Sequence, residues 1–217
     1  MRWKIGFVLL WVVSGIQPIG AEETPPQQAL RELMEGNQRF VAGKSVHRDL
    51  SQEALIPLRQ GQTPKAVIVG CSDSRVSPEV IFDQGLGDLF VVRVAGNVIG
   101  PIELESIVFG VQQLKAPLIL VLGHENCAAV KGAMQSGQKP KELAQIFSLI
   151  TLALKSCNIH SKDGLTDAIW CNALAGVRSL RTTATLKPFL DAQKLEVKGA
   201  YYEFQQGAVK IIPETGS

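Results

Sequence analysis

Cys71, Asp73 and Arg75 stand at i, i+2 and i+4 directly behind an apolar run, Ala66 to Val69, that Gly70 ends. The run is short, β-branched and without polar alternation, which predicts a strand buried on both faces of a parallel sheet. The carboxyl ends of such strands are where open α/β sheets collect their ligands. A second run, Pro117 to Leu122 with Gly123, delivers His124, Glu125, Asn126 and Cys127 in the same way. Two strand ends thus offer two thiols and an imidazole. That donor set suits zinc, and His-x-x-Cys spacing can put both heads on one side of a turn. Three protein donors leave a fourth position open, which separates a catalytic site from a closed structural one. The same three residues also admit a packing role or a thiol redox pair.

Asp73 and Arg75 decide what such a metal would do. A carboxylate two residues from a zinc thiolate can compete for the open position or orient a water bound there. A forked, permanently charged guanidinium can hold the carboxylate by two hydrogen bonds and bias it to the second role. Water on zinc has its pKa drawn towards ~7, so hydroxide becomes available near neutral pH. The plainer reading is an Asp-Arg pair that stiffens a loop. Glu125 is either a neighbour of the metal ligands or an acid at a helix amino terminus. Gln84 and Asn97 could donate hydrogen bonds near a substrate or serve turns and caps. His47 and His160 read as solvated surface residues.

The elements that must position these groups follow from periodicity. Ala29 to Val41 has helical spacing and predicts an amphipathic amino-terminal arm, and Gln52 to Arg59 a short helix that Pro57 kinks or ends. Ser77-Pro78-Glu79 reads as a helix start running to Gly85. Leu89 to Val94 predicts a strand, Ala95 to Asn97 a turn, Pro101 to Lys115 a helix, and Cys127 to Gln135 another. Leu143 to Leu154 is apolar almost all round, hence deep core or a subunit contact. Asp167 to Arg181 and Lys187 to Lys194 read as helices, and Leu195 to Phe204 and Ala208 to Ile212 as a closing hairpin. Strands alternating with helices predict an α/β fold: a parallel core flanked by helices, with a carboxyl-terminal antiparallel edge.

The amino terminus reads differently. Arg2 and Lys4 precede an apolar stretch, Ile5 to Ile16, too short to span a membrane, and small residues follow at Gly20-Ala21. We expect residues 1–21 to be a signal peptide, with an uncleaved anchor as the alternative because Ile19 departs from the usual small residue three before the cut, and 22–217 a single domain, exported to the periplasm or secreted. The whole chain carries 22 basic and 20 acidic residues, and loss of Arg2 and Lys4 leaves the two signs equal. A neutral mature chain offers no electrostatic reason to bind nucleic acid, nor a segment for membrane attachment. Of the four cysteines, Cys157 and Cys171 lie in the later helical region and read equally as a disulfide or as two buried thiols.

Cys71-Ser72-Asp73-Ser74-Arg75-Val76, Ile81-Phe82-Asp83-Gln84-Gly85, Phe90-Val91-Val92-Arg93-Val94-Ala95-Gly96-Asn97 and Gly123-His124-Glu125-Asn126-Cys127 together closely resemble the β-class carbonic anhydrases. The likeness runs from about Glu35 to Gln135 and resumes at Lys198 to Tyr202. It implies one zinc per chain held by Cys71, His124 and Cys127, with Asp73 and Arg75 as the dyad that orients zinc-bound hydroxide for attack on carbon dioxide. It also implies an active site completed at a dimer interface, hence a homodimer or dimer of dimers. Two positions depart from the family pattern. Ala128 stands where glycine is usual. Ile68 replaces the tryptophan that some members carry beside an inhibitory bicarbonate pocket, so no such regulatory site is expected. The expected function is reversible hydration of carbon dioxide to bicarbonate. The rivals are hydrolysis of a related small molecule such as carbon disulfide, and a non-catalytic thiol redox or zinc-binding role for Cys71 and Cys127.

Overall fold

A computed structural model describes residues 23–46, 51–135, 140–157 and 164–213. The expected leader, His47 and His160 lie outside the described residues. No helix among the described residues is long and apolar enough to cross a membrane.

The described residues build a five-stranded sheet in the order β2-β1-β3-β4-β5, with β1 Ala66–Gly70, β2 Leu89–Arg93, β3 Leu118–His124, β4 Glu196–Glu203 and β5 Ala208–Ile211. β2, β1, β3 and β4 run parallel, and β5 returns antiparallel on β4. Helices cover both faces, which is why β1 and β3 show no polar alternation. Val67, Val69, Ile119 and Val121 pack towards α4 (Pro101–Gln112), α5 (Ala128–Met134), α6 (Ala144–Lys155) and α7 (Gly164–Thr182). Ala66, Ile68, Leu118, Leu120 and Leu122 pack towards α1 (Pro25–Val41) and α3 (Pro78–Ile81). Each large aliphatic side chain buried in this way contributes roughly 1.5–3 kcal/mol.

Register brings the chemistry to one edge. Gly70 pairs with Leu122 and with Arg93, and His124 pairs with Tyr202. The residues that follow Gly70, Leu122 and Tyr202 therefore emerge side by side at the carboxyl edge of the sheet.

Several elements differ from their predicted extents. α1 begins at Pro25 rather than Ala29, because Thr24 N–H donates to Gln27 Oε1 at 3.0 Å and fixes the first turn. The short helix over 52–59 splits into α2 Gln52–Leu55 and a 3₁₀ turn at Pro57–Arg59. α3 stops at Ile81, ahead of the predicted Gly85. Asp83 is left-handed at φ 48°, and its carboxylate accepts hydrogen bonds from the Val46 N–H and from Arg39 instead of continuing a helix. α4 ends at Gln112 short of Lys115, which is itself left-handed at φ 61°. The last helix, α8, covers only Lys187–Asp191. α6 is not deep core: Ile150 is its fully buried residue, while Leu152 is 67% exposed. Cys157 and Cys171 are joined by a disulfide that ties the end of α6 to α7 across a Cα separation of 6.1 Å.

Candidate active site

Two strand ends and one helix start converge on a small cluster. Cys71 follows β1, His124 ends β3, and Cys127 occupies the amino-terminal cap position of α5. All three are buried, and their donor atoms lie within 4.8 Å of one another. His124 is completely buried. Its Nδ1 lies 2.9 Å from the Glu125 carbonyl oxygen, a geometry that places the ring proton on Nδ1 and leaves the lone pair on Nε2. Nε2 has no hydrogen-bond partner. An orphaned buried lone pair costs about 1–3 kcal/mol unless something satisfies it. A cation among the two sulfurs and this nitrogen would do so, and the donor set is the one zinc favours, so the residues present fit that metal.

The charge state of the thiols follows from what faces them. Cys127 S–H donates to Cys71, whose pKa is held down at about 4 by that bond against its own burial. The Gly96 N–H at 3.2 Å and the Asp73 N–H assist. The Cys127 thiol is pushed up, because it shares its proton with the Cys71 thiolate and is buried. Backbone N–H groups of Val130 and Ala129 at the start of α5 oppose that rise. Loss of the shared proton would leave two thiolates, the form that binds metal.

Beside the cluster, Arg75 holds Asp73 in a fork: Nε to Oδ1 at 2.9 Å and Nη2 to Oδ2 at 2.8 Å, with the Arg75 backbone N–H on Oδ1 at 3.0 Å. The guanidinium keeps the Asp73 carboxyl well below the usual carboxylate range. Oδ2 lies 3.9 Å from His124 Nε2. The carboxylate thus reaches the edge of the cluster while being drawn away from it.

Four supporting residues escaped the sequence reading as participants. Arg93, at the end of edge strand β2, donates from Nε to the Cys71 carbonyl at 3.0 Å and from Nη2 to the Asp73 carbonyl at 2.7 Å, so it braces the loop that carries both. Its pairing position beside Gly70 was implicit in two adjacent parallel strands. Phe204 places its ring 4.2 Å from the Arg75 guanidinium carbon and 5.6 Å from the His124 ring. Gly96, read beforehand only as part of a turn and a motif, donates its N–H to Cys71 Sγ, and Asn172, which left no local signal, donates to the Gly96 carbonyl. Glu125 Oε2 accepts the Phe204 N–H at 2.8 Å, so its carboxylate is turned to the end of β4. Gln84 donates to its own neighbour, the Phe82 carbonyl, at 2.8 Å, and Asn97 sits in a 3₁₀ turn at φ 45°.

The sequence matches the family model for carbonic anhydrase over residues 66–209. A carbonic anhydrase of Mycolicibacterium smegmatis is 38% identical over 199 residues, covering 88% of this chain and 95% of its own length. The chain belongs to the β-carbonic anhydrase family. Carbonic anhydrase 2 of Mycobacterium tuberculosis is 54% identical over 111 residues, which is 51% of this chain and 54% of that protein. Among solved structures, the β-carbonic anhydrase CcaA superposes with a TM-score of 0.66 at 26% identity, covering 87% of this chain and 93% of that one. A tetrameric β-carbonic anhydrase of Sordaria macrospora shares the fold at a TM-score of 0.66 and 24% identity, covering 88% of this chain and 99% of its own. The family's parallel sheet with an antiparallel β4–β5 edge is the architecture described above.

Proposed function

We propose that this enzyme catalyses the reversible hydration of carbon dioxide to bicarbonate and a proton, with one zinc per chain held by Cys71, His124 and Cys127. The observation that carries the reading is the unpartnered, fully buried His124 Nε2 set among two sulfurs and flanked by a forked Asp73. When bound, zinc would supply a Lewis acid that brings the pKa of a coordinated water towards ~7. The chain's own residues do the rest. Glu125 fixes the His124 tautomer through its carbonyl. Asp73, kept ionised by Arg75, is an acceptor and not a proton store; its Oδ2 would accept a hydrogen bond from the water that adds to carbon dioxide and so orient it. Arg93 keeps the loop from Cys71 to Asp73 in place during this. The proton released passes to solvent buffer.

We also propose a homodimer or dimer of dimers. β2 is an edge strand whose Phe90, Val91 and Val92 remain partly exposed, and Ile102 and Phe109 on adjacent α4 are 69% and 49% exposed. Sedimentation that finds an active monomer at assay concentration would count against it. Export with loss of residues 1–21 remains our reading of the leader, and sequencing the amino terminus of the mature chain from its host tests it.

Metal analysis together with a stopped-flow trace of carbon dioxide hydration tests the main proposal. A purified chain without zinc and with Cys71 joined to Cys127 would replace it with the thiol redox reading, and turnover of carbon disulfide but not carbon dioxide would replace the substrate.

A further inference from the structure

Gly96 is held at both of its polar groups. Its N–H donates to Cys71 Sγ at 3.2 Å, and its carbonyl accepts a hydrogen bond from Asn172 Nδ2 at 2.8 Å. Asn172 reaches in from α7, 76 residues along the chain, and is itself 6% exposed. Gly96 adopts φ 73°, ψ 19°, and a side chain there would meet Ile150 Cδ1 at 2.9 Å and Ala129 Cβ at 3.1 Å. Glycine in the left-handed region is the residue least restrained by its own sterics, so its orientation must be imposed by neighbours. Ile150 presses from α6, and Asn172 supplies the directional restraint.

We infer that Asn172 is a positioning residue of the metal centre: by fixing the Gly96 carbonyl, it aims the Gly96 N–H at the Cys71 sulfur and so sets the orientation and electron donation of that ligand. This rests on Cys71 being a metal ligand. Groups that orient ligands from outside the coordination sphere typically change metal affinity by about 10- to 100-fold. Asn172 acts one hydrogen bond further out, so the lower end applies. The competing role is structural, the satisfaction of one buried carbonyl, and it predicts a different result.

The test compares full-length wild type with Asn172→Leu, which keeps the volume and loses the donor. Zinc affinity is measured by chelator competition on protein whose fold is checked by circular dichroism, and the thiolate-to-metal absorption is recorded after cobalt substitution. The expected variant saturates at one zinc per chain, binds it about tenfold more weakly, and shows a shifted cobalt-thiolate band. A variant with lowered thermal stability but unchanged zinc affinity and cobalt spectrum overturns the inference. Should Asn172→Leu fail to fold, Asn172→Ala removes the donor to the Gly96 carbonyl without adding bulk and carries the same comparison. Wild type that holds no zinc removes the ligand reading and this inference with it, whereas wild type with zinc beside unaltered variants removes the inference alone.

Discussion

Arg75 grips both carboxylate oxygens of Asp73, and the oxygen it holds at 2.8 Å is the one that lies 3.9 Å from His124 Nε2. The fork thus stands between a carboxylate and the donor cluster it could otherwise join. Replacing Arg75 by Ala frees Asp73 to swing onto the metal or to lose its fixed orientation. Hydration activity should fall by about 10²-fold or more, the scale of a lost positioned acid-base group, while zinc stays near one per chain. Asp73→Asn should fall similarly, because its amide cannot accept a hydrogen bond in the same manner at both positions. Metal content and stopped-flow hydration of both variants decide this, and a fully active Arg75→Ala enzyme removes the dyad from the mechanism.

Phe204 steadies the other side of the same guanidinium. A cation over an aromatic face is attracted by the ring quadrupole, weakly where the cation is exposed. Phe204→Leu keeps an apolar side chain beside His124 and loses that attraction, so kcat/KM should drop roughly two- to fivefold with zinc content unchanged. A loss of metal in this variant would mean that the ring packs His124 into place rather than Arg75.

Removing a donor should act on metal before it acts on anything else. Cys71→Ser, His124→Gln and Cys127→Ser should each lower zinc below stoichiometric and abolish hydration, and exhaustive chelation of wild type should do the same reversibly. Elemental analysis is the readout. Full zinc occupancy in any one of the three variants shows that the donor set is drawn wrongly.

The bridge between Cys157 and Cys171 lies outside the cluster, with a sequence separation of 14. A loop of this length implies about 3 kcal/mol of stabilisation in the chain-entropy account. The double serine variant should shift the denaturation midpoint accordingly and retain one zinc per chain. Equal midpoints for oxidised and reduced wild type would show that the bridge adds nothing.

How much of this was legible beforehand can be seen from individual residues. β1 and β3 were readable because short, unbroken apolar runs between a proline and a glycine leave few alternatives to a strand buried on both faces, and the strand ends that follow carried Cys71, His124 and Cys127 with them. The pairing of Asp73 with Arg75 was readable because the two are neighbours in the chain. Helix ends were read less well. Thr24 and Gln27 held a visible start signal for α1, whereas the stop of α3 at Ile81 depends on Asp83 turning to Arg39 and Val46, and no local pattern encodes that choice.

By itself the sequence determined which thiols, imidazole and carboxylate stand at the two strand ends, the strands that present them, the α/β class and the family resemblance. Only the tertiary structure decided that Cys157 meets Cys171, that Arg93 braces the loop after β1, that Phe204 covers Arg75, and that Asn172 reaches Gly96. The division has a physical cause. Periodicity and capping record interactions within one element, over a few residues, while strand register and helix docking bring together groups as far apart in the chain as Asn37 and Val209, with a sequence separation of 172, through packing energies summed over the whole core.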